Sequence, residues 1–164
     1  MERLWAPWRM TYITGLSSPD GCFLCDAFKA DDDAANLIID RRSNTFVVLN
    51  RFPYNNGHTL VCPNAHKADL GELTPEEQGE LMRVTHETMQ LLKKVMRPDG
   101  FNVGMNFGRV AGAGLPGHLH VHIVPRWNGD TNFMPVLADV KVIPQALEDL
   151  RELLVAARKE SQAC

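Results

Sequence analysis

The sequence predicts an α+β fold built on a mainly antiparallel sheet, and three observations carry this. Strand-like runs cluster together while the helical segments stand apart, unlike the alternation of a parallel sheet. Two short apolar runs flank a turn sequence, as an antiparallel hairpin requires. One long amphipathic segment opens with a full set of helix-start residues. The chain has 164 residues, 45% hydrophobic and 23% charged, enough for one domain with its own core. A single domain over 1–164 is expected, with 1–20 an N-terminal extension and 128–164 a C-terminal extension carrying a helix.

In chain order, Asp31-Asp32-Asp33 reads as a solvated loop and Phe46 to Asn50 as a strand. Arg51 to Gly57, with Pro53 and Asn55-Asn56-Gly57, reads as a turn, and His58 to Cys62 as the next strand. Thr74 can cap a helix, Pro75 suits its first position, and Glu77 completes a capping box. Leu81, Val84, Thr88, Leu91, Leu92 and Val95 then recur at helical spacing until Pro98 and Gly100. Phe101 to Phe107 reads as a strand, followed by a glycine-rich loop to Gly117 and an alternating strand from His118 to Pro125. A second helix starts near Pro144, with Leu147, Leu150, Leu154 and Ala157 on one stripe.

Seventeen basic and 20 acidic residues leave a net charge of −3, which disfavours nucleic-acid binding through a basic field. No apolar run is long enough to span a bilayer. Met1 to Trp5 lacks the basic and apolar regions of a signal peptide, so a cytoplasmic location is expected. Reducing conditions there favour metal or redox chemistry over a disulfide for Cys22 and Cys25. Cys62 lies in an apolar stretch and packs as a small hydrophobe, and Cys164 carries no signal.

The most informative run is His118-Leu119-His120-Val121-His122-Ile123-Val124. On a strand the three imidazoles share one face, roughly 6.7 Å apart, and the aliphatic residues take the other. Three readings are open: a chance polar face, a shared metal ion, or nucleophilic catalysis by one imidazole supported by its neighbours. Before it, Gly104, Gly108, Gly112, Gly114 and Gly117 make a backbone able to turn N–H groups toward an anion. Residues 112–117 match G-x-G-x-x-G literally, but the motif opens a strand and not a helix, which excludes a dinucleotide fingerprint. Phosphate chemistry is therefore favoured.

This run resembles the histidine triad (HIT) signature, His-x-His-x-His followed by two apolar residues. The resemblance extends through Asn50-Arg51-Phe52-Pro53, Gly57 to Pro63, Ala111-Gly112 and Pro125-Arg126. Arg3 to Met10, Pro98 to Gly104, Val124 to Trp127 and Lys141 to Gln145 are similar to the bacterial diadenosine tetraphosphate phosphorylase branch of that superfamily. The resemblance implies about five strands, one long central helix and a C-terminal helix. It implies a nucleotide-binding enzyme that cleaves adenine dinucleotides through a nucleotidyl-histidine, by hydrolysis or phosphorolysis. His120 is then the nucleophile, supported by His122 and His58. Asn50 matches a ribose-binding position and Asn106 a polar position beside the phosphates. Gly112, Ala113 and Gly114 form the phosphate loop, and Trp127 is suited to stack on a base. That branch commonly carries a serine where this chain has Gly114. The alternatives are a metallohydrolase using the histidine strand and a non-catalytic nucleotide-binding module.

The Cys22/Cys25 pair reads as redox, as half a zinc site, or as inert. A redox pair of the thioredoxin type opens a helix after a strand, and no such pattern is visible here. Zinc needs two further ligands, for which His66 and His118 are the candidates. Zinc-bearing members of the superfamily are similar at these positions, which implies a closed, structural zinc held by Cys22, Cys25, His66 and His118. No organic cofactor is expected. His86 reads as solvated. Trp5, Trp8, Met10, Tyr12 and Ile13 offer apolar surface for a partner subunit, and the resemblance implies a homodimer or higher.

Overall fold

The computed structural model describes residues 21–131 and 142–162. The aromatic run from Trp5 to Ile13 and the similar segment Arg3 to Met10 lie outside the described residues, as do Lys141 and Cys164. The elements in order are α1 (Phe23–Lys29), β1 (Ile38–Arg41), β2 (Thr45–Leu49), β3 (Thr59–Pro63), α2 (Pro75–Met96), β4 (Gly100–Met105), β5 (Val121–Arg126) and α3 (Leu147–Gln162). Short 3-10 turns cover Leu70–Glu72 and Arg109–Ala111. The five strands form one sheet in the order β1-β2-β3-β5-β4, antiparallel at every pairing. The α+β, mainly antiparallel expectation holds.

The predicted hairpin is β2–β3, paired from Thr45↔Pro63 to Leu49↔Thr59. The predicted long helix is α2. Thr74 Oγ1 accepts from the Glu77 N–H and Glu77 Oε2 accepts from the Thr74 N–H, a complete capping box. The helix stops at Met96, where Arg97 takes the left-handed conformation with φ 51°. Leu81, Val84, Thr88 and Leu92 are buried, and α2 packs across β2, β3 and β5. Helix α3 buries Leu150 and Leu154 completely, against α2 and β1. Leu119, Val121 and Ile123 join this core, as the alternation requires.

Two elements escape the sequence reading. β1 has four residues and α1 has seven, each too short for a clear periodicity. The Cys22–Cys25 pair does open a helix: Cys22 caps α1, its sulfur accepting from the Cys25 N–H. The sequence reading has no helix here; among the described residues no strand precedes it.

Glu80 of α2 pins the β1–β2 turn. Its carboxylate accepts from the Asn44 N–H at 2.8 Å, the Asn44 side-chain amide at 3.1 Å and the Thr45 hydroxyl at 3.0 Å. Burial raises its pKa, but the hydrogen bonds from Asn44 and Thr45, with Arg83 nearby, more than offset this and hold it below the ordinary glutamate value. Its stabilisation is therefore present at neutral pH and is lost as pH falls through the depressed folded value. Glu80→Ala removes the acceptor of the Thr45 hydroxyl and of both Asn44 donors and is expected to cost about 2–4 kcal/mol in urea unfolding at pH 7. The difference from the parent should shrink at acidic pH; a pH-independent difference contradicts the ionised role.

Candidate active site and metal centre

The histidine run does not form one row. β5 begins at Val121, so His118, Leu119 and His120 lead into the strand instead of lying on it. Pro63 explains the early end of the ladder. β3 pairs with β5 only from Thr59↔Ile123 to Val61↔Val121, and Pro63 has no N–H to extend it. Its carbonyl lies 2.9 Å from His118 Nε2, and the Leu119 N–H donates to the Lys67 carbonyl at 2.7 Å. His118 is thereby turned away, toward α1. The expectation of three evenly spaced imidazoles on one surface is corrected to two sites that share a backbone.

At the first site His120 and His122 meet edge to face, ring centroids 4.8 Å apart. His58, just before β3, joins them through a 3.0 Å contact from its Nε2 to His122 Nδ1. Backbone groups fix the protons. The Tyr54 N–H donates to His58 Nδ1 at 3.0 Å, so that nitrogen carries the lone pair and Nε2 carries the hydrogen. His58 then donates to His122 Nδ1, which leaves the proton of a neutral His122 on Nε2. Asn106 Nδ2 lies 3.4 Å from that atom. His120 is pinned separately. Its Nδ1 lies 2.7 Å from the His118 carbonyl, which can only accept, so Nε2 holds the lone pair. Burial lowers the pKa of His120; burial and then the neighbouring His120 push His122 down to about 4. His58 is fully buried and His120 is 7% exposed.

The remaining candidates fall at different distances from this cluster. Asn50 is buried beside it: its Oδ1 accepts from the Phe52 N–H, and its Nδ2 lies 3.2 Å from His58 Nδ1. In the glycine-rich loop the N–H groups of Ala111, Gly112 and Ala113 bond to the carbonyls of Gly108 and Arg109. Those donors are spent within the turn, contrary to the expectation that they face an anion. The Gly114 N–H makes no hydrogen bond among the described residues. Trp127 lies just past β5, five positions beyond His122 and roughly 17 Å along the strand direction. Tyr54 was not singled out from the sequence, because it sits in a segment that reads only as a turn. Its ring lies 4.5 Å from His58 and 5.8 Å from His122, centroid to centroid.

At the second site the ligand atoms of Cys22, Cys25, His66 and His118 all lie within 4.8 Å of one another. Cys22 Sγ is 3.2 Å from His118 Nδ1, and Cys25 Sγ is 3.3 Å from His66 Nδ1 and 3.4 Å from His118 Nδ1. A tetrahedral zinc with ordinary bond lengths sets sulfur and nitrogen ligands about 3.6 Å apart, so the cluster fits such an ion. The Pro63 carbonyl accepts from His118 Nε2–H and so leaves the Nδ1 lone pair available to a metal. Burial, then Cys22, push the Cys25 thiol up to about 11. A bound cation favours the thiolate instead. His86 is exposed on α2, as expected. A cavity of about 480 Å³ opens on the helical side, but its charged lining is already paired: Asp40 with Arg42 and Arg158, Arg42 with Glu87, and Lys94 with Glu160.

Comparison with known proteins agrees with this geometry. The family model "HIT domain" matches residues 32–129. A Mycobacterium tuberculosis protein named AP-4-A phosphorylase is 42% identical over 163 residues, covering 94% of this chain and 83% of its own length. The Schizosaccharomyces pombe asymmetrical bis(5'-nucleosyl)-tetraphosphatase is 37% identical over 82 residues, covering 50% of this chain and 44% of that one. The crystal structure of a zinc-bound histidine triad family protein from Mycobacterium smegmatis superposes with a TM-score of 0.70 at 27% identity, covering 87% of this chain and 96% of that chain. With the motif, the five-stranded sheet and these matches in agreement, the chain belongs to the HIT domain family.

Proposed function

We propose that this chain cleaves diadenosine polyphosphates, diadenosine tetraphosphate among them, through a nucleotidyl-histidine on His120. The observation that carries the reading is the 2.7 Å bond from His120 Nδ1–H to the His118 carbonyl. It leaves Nε2 as a lone-pair nitrogen on a buried imidazole kept neutral by its surroundings. Nε2 attacks the α-phosphorus, a P–N bond forms, and the bond to the bridging oxygen breaks to release the rest of the dinucleotide. His122, oriented by His58, offers Nε2–H to the phosphoryl oxygens, and Asn106 lies beside it. Water or phosphate then breaks the P–N bond. Asn50 is assigned to the ribose and Trp127 to a base. The names of the tuberculosis and fission-yeast relatives support this substrate class.

The Cys22, Cys25, His66 and His118 cluster is assigned a zinc ion. When bound it supplies a rigid crosslink; with four protein ligands the coordination is closed. A homodimer or larger assembly in the cytoplasm is proposed. Its support is the exposed edge strand β4, where Val103 is 43% exposed, together with Phe107 and Val110 beyond it. Among the described residues no helix is long and apolar enough to cross a membrane.

Product analysis after incubation with diadenosine tetraphosphate, with and without phosphate, tests the reading: ADP plus ATP marks phosphorolysis and AMP plus ATP marks hydrolysis. Absence of both overturns it. The acceptor is expected to depend on position 114, where this chain offers an N–H without a hydroxyl. One further hydrogen bond to a charged phosphate is worth about 1.5–3 kcal/mol, roughly ten- to a hundredfold. Gly114→Ser is therefore expected to raise the ADP-to-AMP ratio in phosphate buffer. An unchanged ratio moves acceptor selection to Asn106 and Arg109.

A further inference from the structure

Tyr54 touches the imidazole cluster in two ways. Its N–H sets the tautomer of His58, and its ring lies over both His58 and His122, tilted 38° to the first and stacked at 16° on the second. The segment carrying it is tied to β5. Asn55 is buried, and its amide donates to the Pro125 carbonyl at 3.0 Å and to Asp130 Oδ2 at 2.8 Å. Arg126 in turn grips Asp130 through two bonds of 2.6 and 2.9 Å. At the other end Gly57 has φ +75°, and a Cβ there would stand 2.6 Å from Met96 Sδ and 3.2 Å from Pro125 Cγ. The loop is thus anchored to the strand that carries His122, with the Tyr54 ring as its contact over the site.

We propose that Tyr54 is a positioning residue, whose ring covers the His58–His122 hydrogen bond and keeps water from competing for it. The inference rests on the reading that this pair serves His120. A bond between two neutral imidazoles is easily displaced, because water offers either nitrogen an equivalent partner. Under an aromatic ring the same bond sits in a lower dielectric with no competing donor, and is stronger. Tyr54 is 37% exposed, so one face serves the imidazoles while the rest of the residue meets solvent. The ring, not the hydroxyl, makes both contacts.

Proton NMR of the ¹⁵N-labelled protein without substrate tests it. The His58 Nε2–H is expected as a downfield, slowly exchanging signal in the parent. Tyr54→Ala is expected to lose that protection, and to lower kcat about tenfold with KM within about twofold, the size that two aromatic contacts supply. Tyr54→Phe, the conservative variant, is expected to rescue both readouts. Tyr54→Leu, whose side chain is too small to lie over both imidazoles and leaves their bond open to water, is expected to behave as Tyr54→Ala and guards against an unfolded alanine variant. A parent without the protected signal overturns the proposal. So does unchanged exchange in both Tyr54→Ala and Tyr54→Leu, or a Tyr54→Phe as impaired as Tyr54→Ala. The spectra need no turnover: in His120→Ala the signal is expected to persist, so failure of the nucleophile assignment is read separately.

Discussion

His120→Ala is expected to abolish turnover while leaving nucleotide affinity within about threefold. The change removes the attacking nitrogen and little else. His122 loses its edge-to-face neighbour, but His58, His122 and Asn106 keep their hydrogen bonds, since none is made to the His120 ring nitrogens. Where a nucleophile and its partners act as a unit, deleting it costs on the order of 10⁴–10⁶ in turnover. With a radiolabelled dinucleotide the parent should trap an acid-labile phosphoramidate, and His120→Ala should trap none. His122→Ala should retain some activity, because it loses charge support and not the bond-forming atom. Activity of His120→Ala within tenfold of the parent would falsify the nucleophile assignment. A metallohydrolase would lose its metal rather than a covalent label, and a binding module would show neither turnover nor label.

The second large effect concerns the metal centre. Elemental analysis is expected to find one zinc per chain, and Cys22→Ser is expected to find none. Serine is chosen because its hydroxyl can still accept the Cys25 N–H, so the cap of α1 survives and only the metal ligand is lost. The binding free energy of a structural zinc is folding free energy, amounting to about 10–16 kcal/mol in small zinc-finger peptides. This domain has a core of its own, so only part of that is at stake. A loss of about 3 kcal/mol lowers Tm on the order of 6–12 °C at this chain length. The geometry adds a functional consequence. On the zinc assignment the His118 ring would hold the metal while its carbonyl meets His120 Nδ1, so metal loss should also loosen the proposed nucleophile. A metal-free protein with unchanged Tm removes the zinc assignment.

Local signals account for what could be read without coordinates. The Thr74–Glu77 capping box and the 22-residue stripe of α2 are defined by neighbours three and four apart. The β2–β3 hairpin follows from two apolar runs and a turn, and the register aligns Leu49 with Thr59. The triad motif likewise announced His120 and His122. Four-residue β1 and seven-residue α1 were not legible, because so short a segment carries too little periodicity to stand out. Nor was the place of Tyr54 beside the imidazoles, since turn chemistry describes the backbone and not where a ring lands.

Which residue types are available for such chemistry is set by the sequence itself. It supplied the histidine motif, the cysteine pair and an antiparallel scaffold able to present them. Only the tertiary structure decided how those histidines are divided. Strand geometry alone set His118, His120 and His122 in one row. The proline at the end of β3 stops the ladder, the Pro63 carbonyl turns His118 toward Cys22, 96 positions away, and His58 approaches His122 across 64 positions. Partners so distant in sequence are brought together by packing of the whole sheet, and that packing leaves no trace in the spacing of the motif itself.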